Sequence, residues 1–181
     1  PTPTQAAAQT ILRAMWPRKA FSLSTHYVTL NGYESHIGLA VIFFGYAPHI
    51  AFIQRIAWLH WPALPDMVMY VAAGATIGSL LLALVLRLTD PVRKLISGAN
   101  DIITWVITFA PLITGMAVLN DPSATILARD HTVYRGPLAI HLLTLELLLI
   151  WFPFGKLMHA VLFAFSRSAT GIRMSHRGVQ V

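Results

Sequence analysis

The chain has 181 residues, 56% of them hydrophobic and only 11% charged, with a mean hydropathy of +0.63; soluble domains carry about a quarter charged residues, so a water-soluble core is excluded as the main plan. Thirteen Lys and Arg against seven acids give a net charge of +6, but the basic residues lie between apolar runs and form no single patch, which excludes a nucleic-acid surface. There is no cysteine, hence no disulfide, iron–sulfur cluster or thiolate metal site, and a bound metal must take histidine, methionine or oxygen ligands.

Residues 1–35 read as a cytoplasmic segment, partly amphipathic over 5–30, with Trp16 and Phe21 as interface anchors; an ordinary disordered terminus is the equal alternative. Ala6 to Trp16 is too short for a signal peptide and is followed by a basic cluster. Because the chain opens at Pro1, an upstream piece, another helix included, is an expectation. Apolar windows of roughly 20 residues then predict four transmembrane helices, at 36–54, 67–88, 98–119 and 138–159. Pro62 with Pro65, Asp90-Pro91, and Asp121-Pro122 with Gly136-Pro137 mark the turns between them. The expected fold is all-α, an integral membrane bundle over 36–160 followed by a basic cytoplasmic tail over 161–181. Arg13, Arg18, Lys19, Arg87, Arg93, Lys94, Lys156, Arg167, Arg173 and Arg177 fall on one side and Arg55, Arg129 and Arg135 on the other, so the positive-inside rule places both termini in the cytoplasm.

His141 and His159 stand eighteen residues apart, about five whole turns or 27 Å along a continuous helix, so both face one way near opposite membrane surfaces. His36 opens the first span and His159 closes the last, at the same cytoplasmic depth on antiparallel helices. Two such imidazoles provide the axial ligands of a b-type haem, held without thioether links; the bland alternative is a pair of histidines at the headgroup boundary. A second, outer haem at His141 needs a partner on the first span. Tyr46 is ten residues past His36 and about 80° around the helix, whereas His49 is thirteen past and about 140° around. Angle favours Tyr46 and ligand chemistry favours His49, with Pro48 able to bend the helix and swing His49 into place.

His26, His60, His131 and His176 fall in surface stretches, where solvated side chains are the simplest account. A quinol must shed a proton as its electrons leave, and His60, or Asp66 at the start of the second span, suits that task at the outer surface. Glu146, inside the last span, is either neutral and hydrogen-bonded or turned toward a haem edge, proton path or subunit. Arg87, Arg93 and Lys156 at the cytoplasmic surface are candidates to pair with haem propionates, although topology alone also explains them.

Several stretches taken together resemble one family, the membrane cytochrome b (gamma) subunit of respiratory nitrate reductases and its relatives in heterodisulfide-reductase-like and hydrogenase-linked complexes. They are His36 to Tyr46, the basic connector Arg87 to Lys94, Asp101 to Gly115, and His141 through Pro153-Phe-Gly-Lys-Leu-Met-His159. The resemblance covers roughly residues 30–165 and implies two stacked b haems, His36 and His159 matching the inner pair and His141 one ligand of the outer pair. The family's other outer ligand is a histidine where this chain has Tyr46, and the family usually has five spans, the first being absent or replaced here. The resemblance further implies a quinone as substrate, an iron–sulfur electron-transfer subunit and a catalytic subunit as partners, and a place in a bacterial or archaeal cytoplasmic membrane. The function expected is that of an electron-transfer subunit, not a complete enzyme, moving electrons between the quinone pool and the iron–sulfur partner. The alternative is a haem-poor structural anchor or assembly subunit; a proton-relay transporter is weaker, since internal repeats and paired broken helices are not evident.

Overall fold

The structure, a computed structural model, describes residues 2–15, 22–119 and 135–178. Trp16, Phe21, Asp121-Pro122, Arg129 and His131 lie outside the described residues. Those described are all-helical with no strand: α1 Pro3–Ala14, α2 Ser22–Gly45, α3 Ala47–Ala57, α4 Asp66–Thr89, α5 Pro91–Ile96, α6 Ala99–Leu119, α7 Arg135–Trp151 and, after a short 3₁₀ turn at Lys156–Met158, α8 His159–His176. They form two units, one of residues 1–29 with 152–181 and the other of Leu30–Trp151. This division joins the two ends of the chain, which the sequence separates into a head and a tail.

In the first unit, α1 starts on a reciprocal cap in which the Thr2 hydroxyl accepts from the Gln5 amide and the Gln5 side chain accepts from the Thr2 amide. α1 packs on α8 where both are small. A Cβ on Gly171 would stand 2.5 Å from the Ala6 carbonyl oxygen, so glycine is what lets the helices touch. Thr10, buried at this crossing, returns its hydroxyl to the Ala6 carbonyl at 2.7 Å.

The second unit has an interior of small and polar residues. Ser35, Thr76, Ser79 and Asp101 are buried there beside Ile50, Met69, Ala73 and Leu112. Asn31 and Ser35 of α2 bond Ser79 of α4, the Asn31 side chain donating to the Ser79 carbonyl at 3.1 Å and the Ser79 hydroxyl to the Asn31 carbonyl at 2.9 Å. The indole of Trp105 on α6 donates to the Leu80 carbonyl at 2.8 Å, and that of Trp151 on α7 to the Thr104 hydroxyl at 3.0 Å. Large apolar side chains face outward instead, Val71, Leu149 and Ile150 among them at 64%, 63% and 65% exposure. Such an inverted distribution suits lipid as the solvent. α4 and Ala99–Val118 are each long and apolar enough to cross a membrane, and the count reaches four if two broken helix pairs each serve as one span.

Both breaks depart from the expected helices for identifiable reasons. α2 begins at Ser22, fourteen residues before His36, because nothing in the polar stretch ahead of the apolar run interrupts a helix. It ends at Gly45, and α3 leaves at 70°. The predicted helix over 138–159 stops at Trp151, two residues ahead of Pro153, and helical structure resumes only at Lys156. His141 and His159 are thus on different helices, and a five-turn ruler does not connect them.

Candidate functional site

The break between α2 and α3 positions the histidine of greatest interest. Pro48 has no amide hydrogen to offer the Phe44 carbonyl four residues back, and its ring would clash with that carbonyl. The chain opens at Tyr46, whose backbone is extended (φ −81°, ψ 128°). Each carbonyl exposed at the end of α2 then needs a donor, since lipid supplies none. The Trp61 indole donates to Phe44 at 2.6 Å, the Leu64 amide to Gly45 at 2.9 Å, and Nδ1 of His49 to Ile42 at 3.3 Å. His49 is therefore held by its Nδ1 against the end of the preceding helix.

Its neighbour across the unit is His141 on α7. The two ring centroids are 6.4 Å apart and the planes differ by 17°. Nδ1 of His141 meets the Thr114 hydroxyl at 3.1 Å. With the Thr114 proton given to a carbonyl, the Thr114 oxygen is left to accept, and Nδ1 is the donor. Thr114 spends its own proton on the Ala110 carbonyl at 2.9 Å, and Thr144 donates to the His141 carbonyl at 2.8 Å. Gly115 leaves room for the ring; a Cβ there would stand 3.2 Å from His141 Cε1.

Tyr46 lies edge-on to His49 at 5.2 Å and 85°, with Asp66 and Tyr70 as its ionisable neighbours. The wheel angle that favours Tyr46 as the counterpart of His141 assumes an unbroken helix, and the break removes that assumption. Phe43 closes another side of His49 at 5.5 Å. Among the described residues no three of His, Cys, Asp and Glu gather into a metal cage.

The remaining candidates are more scattered. His36, on α2 in the second unit, donates from Nδ1 to the Gly32 carbonyl at 2.6 Å; His159, at the start of α8 in the first unit, donates to the Lys156 carbonyl at 2.7 Å; both are exposed. No one unit contains both. Arg87 pairs with buried Asp101 at 2.8 Å and donates to Ser97 at 3.1 Å, so its guanidinium is engaged in joining α4 to α6. Arg93 pairs with Asp90 at 3.7 Å, and Lys156 is exposed. His60 is exposed in the stretch between α3 and α4, Asp66 is exposed at the first turn of α4, and Glu146 is exposed on α7. His26 and His176 are exposed as well.

Sequence reading did not single out Thr114 or Thr144, because a threonine bonded within its own helix gives no signal of its own. It also left Asp101 as part of a resembling stretch, although a carboxylate at the start of an apolar helix asks for a cation.

The chain is 32% identical over 171 residues to a protein of Nitratidesulfovibrio vulgaris (strain Hildenborough), an alignment covering 93% of this chain and 71% of that one. The chain belongs to that protein's family. The relative is described only as "Protein", which names no activity. No family model matches the chain, and no solved structure matches it.

Proposed function

We propose that this protein is a b-type cytochrome subunit of a respiratory complex, with a haem held between His49 and His141. The observation that carries this reading is the pair of near-parallel imidazoles with ring centroids 6.4 Å apart, each with Nδ1 engaged elsewhere. The donor set suits haem better than a bare ion. A protein-only site for a transition metal uses three or four side chains, whereas a porphyrin supplies four nitrogens and asks the protein for one or two axial ligands. The Nδ1 partners are the outer contacts that orient a metal-binding imidazole.

Haem, when bound, takes up and returns single electrons. This chain's residues would hold the iron at His49 and His141, while Asp66 or His60 accepts the proton that a quinol releases. The electrons pass to or from an iron–sulfur partner, which in turn serves a catalytic subunit in the cytoplasmic membrane. Both termini are assigned to the cytoplasmic side and one span to each broken pair, the last of them within α7, giving four. The reading rests on no relation between His36 and His159, which fall in different units.

A second reading has its own support. His49 already closes the end of α2 and His141 already bonds Thr114, so the pair also makes sense as architecture in a haem-poor anchor subunit. A reduced-minus-oxidised absorption spectrum with a haem-to-protein ratio separates the two. The cytochrome reading expects a b-type signal that drops by one haem per chain in His49→Leu and in His141→Leu. A wild-type protein with no signal, or a signal indifferent to both substitutions, defeats it in favour of the anchor.

A further inference from the structure

Charge is divided unequally along this chain. All seven acids lie between residues 30 and 151, beside six Lys and Arg, whereas residues 1–29 and 152–181 hold seven Lys and Arg and no acid at all. The first unit therefore carries more than the whole net charge of the protein. We propose that this acid-free unit is a docking surface for anionic phospholipid headgroups.

Topology alone does not account for the pattern. Orientation in a membrane follows the number of Lys and Arg, and acids weigh little in it, so it gives no reason to exclude Asp and Glu. A surface that meets phosphates does. Arg13 on α1 and Arg167 and Arg173 on α8, with Arg177 just past its end, are all exposed, and their unit has no Asp or Glu in its sequence to pair with them. Apolar side chains share these helices with the cations: Leu12 is 65% exposed on α1, Phe165 is 70% exposed on α8, and the Arg167 guanidinium lies over the Phe163 ring at 6.0 Å. Cations next to exposed apolar groups are the signature of a face that reaches phosphates and the acyl boundary together. An acidic protein would answer the charge but leave those apolar groups without a counterpart. The chain itself joins this unit to the apolar helices, at Thr29–Leu30 and again at Trp151–Phe152.

The test uses the full chain in nanodiscs of phosphatidylcholine alone or of phosphatidylcholine mixed with phosphatidylglycerol, followed by amide hydrogen exchange. The phosphatidylglycerol discs are expected to slow exchange in α1 and α8 by roughly tenfold, the scale of a few cations engaging an anionic surface. Added salt should reverse the slowing. The triple variant Arg167→Gln, Arg173→Gln, Arg177→Gln should lose it while α4 exchanges as in wild type, which shows that the variant is folded. Equal rates in the two lipids overturn the proposal, as does a triple variant that keeps the slowing. Slowing that needs an added acidic soluble protein, whatever the lipid, overturns it too and assigns the face to a protein partner.

Discussion

Thr114 has one hydroxyl proton and stands within reach of the carbonyls of Ala110 and Pro111, the Thr144 hydroxyl and the His141 ring. Since it accepts from His141, it fixes which nitrogen of that ring keeps a lone pair. Thr114→Val preserves shape and removes the acceptor; outer partners of metal-binding histidines are worth roughly 10- to 100-fold in affinity, so haem retained after detergent exchange is expected to fall by about tenfold at least, with Thr114→Ser close to wild type. The haem-to-protein ratio measures this, and unchanged retention in the valine variant removes Thr114 from the site. Gly115→Val is expected to act sterically on the same ring, because even a lone Cβ stands 3.2 Å from it. At this scale His49 and His141 were legible because histidine in an apolar run is conspicuous. Which of Tyr46 and His49 faces His141 was not, since a wheel angle presupposes a straight helix and Pro48 invalidates it.

Among the elements, the break between α2 and α3 is stabilised from outside itself. The Trp61 indole supplies the donor that Pro48 withholds from the Phe44 carbonyl. Trp61→Phe keeps an aromatic ring, though a smaller one, and deletes that donor, at an expected cost of about 1 kcal/mol; a lower thermal midpoint in detergent checks it, and Trp61→Phe should also loosen the His49 site, seen as weaker haem retention. The joint between α4 and α6 depends on Arg87 and Asp101, whose side chains are 38% and 5% exposed. Arg87→Leu strands a buried carboxylate, and because the guanidinium is partly exposed the loss is expected near 2 kcal/mol, below the usual range for a fully buried pair. Arg87→Leu with Asp101→Asn should recover part of it; thermal unfolding of the single and double variants decides, and no recovery contradicts a pairing role. Hydropathy made the apolar helices readable, and Pro48 and Pro153 were visible as punctuation. What sequence could not show is where the freed carbonyls find their donors, because Trp61 and Leu64 lie well downstream of the break they close.

Over the whole molecule, composition alone pointed to lipid, and the small polar interior of Leu30–Trp151 is its structural counterpart. The proposed orientation is open to direct measurement because the chain has no cysteine. Single cysteines at Gln5 and at Trp58 should react with a membrane-impermeant maleimide from opposite sides of sealed vesicles, the first from the cytoplasmic face; labelling of both from one side reverses or abolishes the assigned topology. The arrangement at His49 has one further consequence. A ring whose one nitrogen ends a helix while its plane lines up with a second imidazole binds ancestry of shape to ancestry of chemistry. A descendant that exchanges this histidine loses the facing pair and also leaves the Ile42 carbonyl at the corner without its donor, so among related chains the proline-made corner and the two imidazoles should tend to be inherited together.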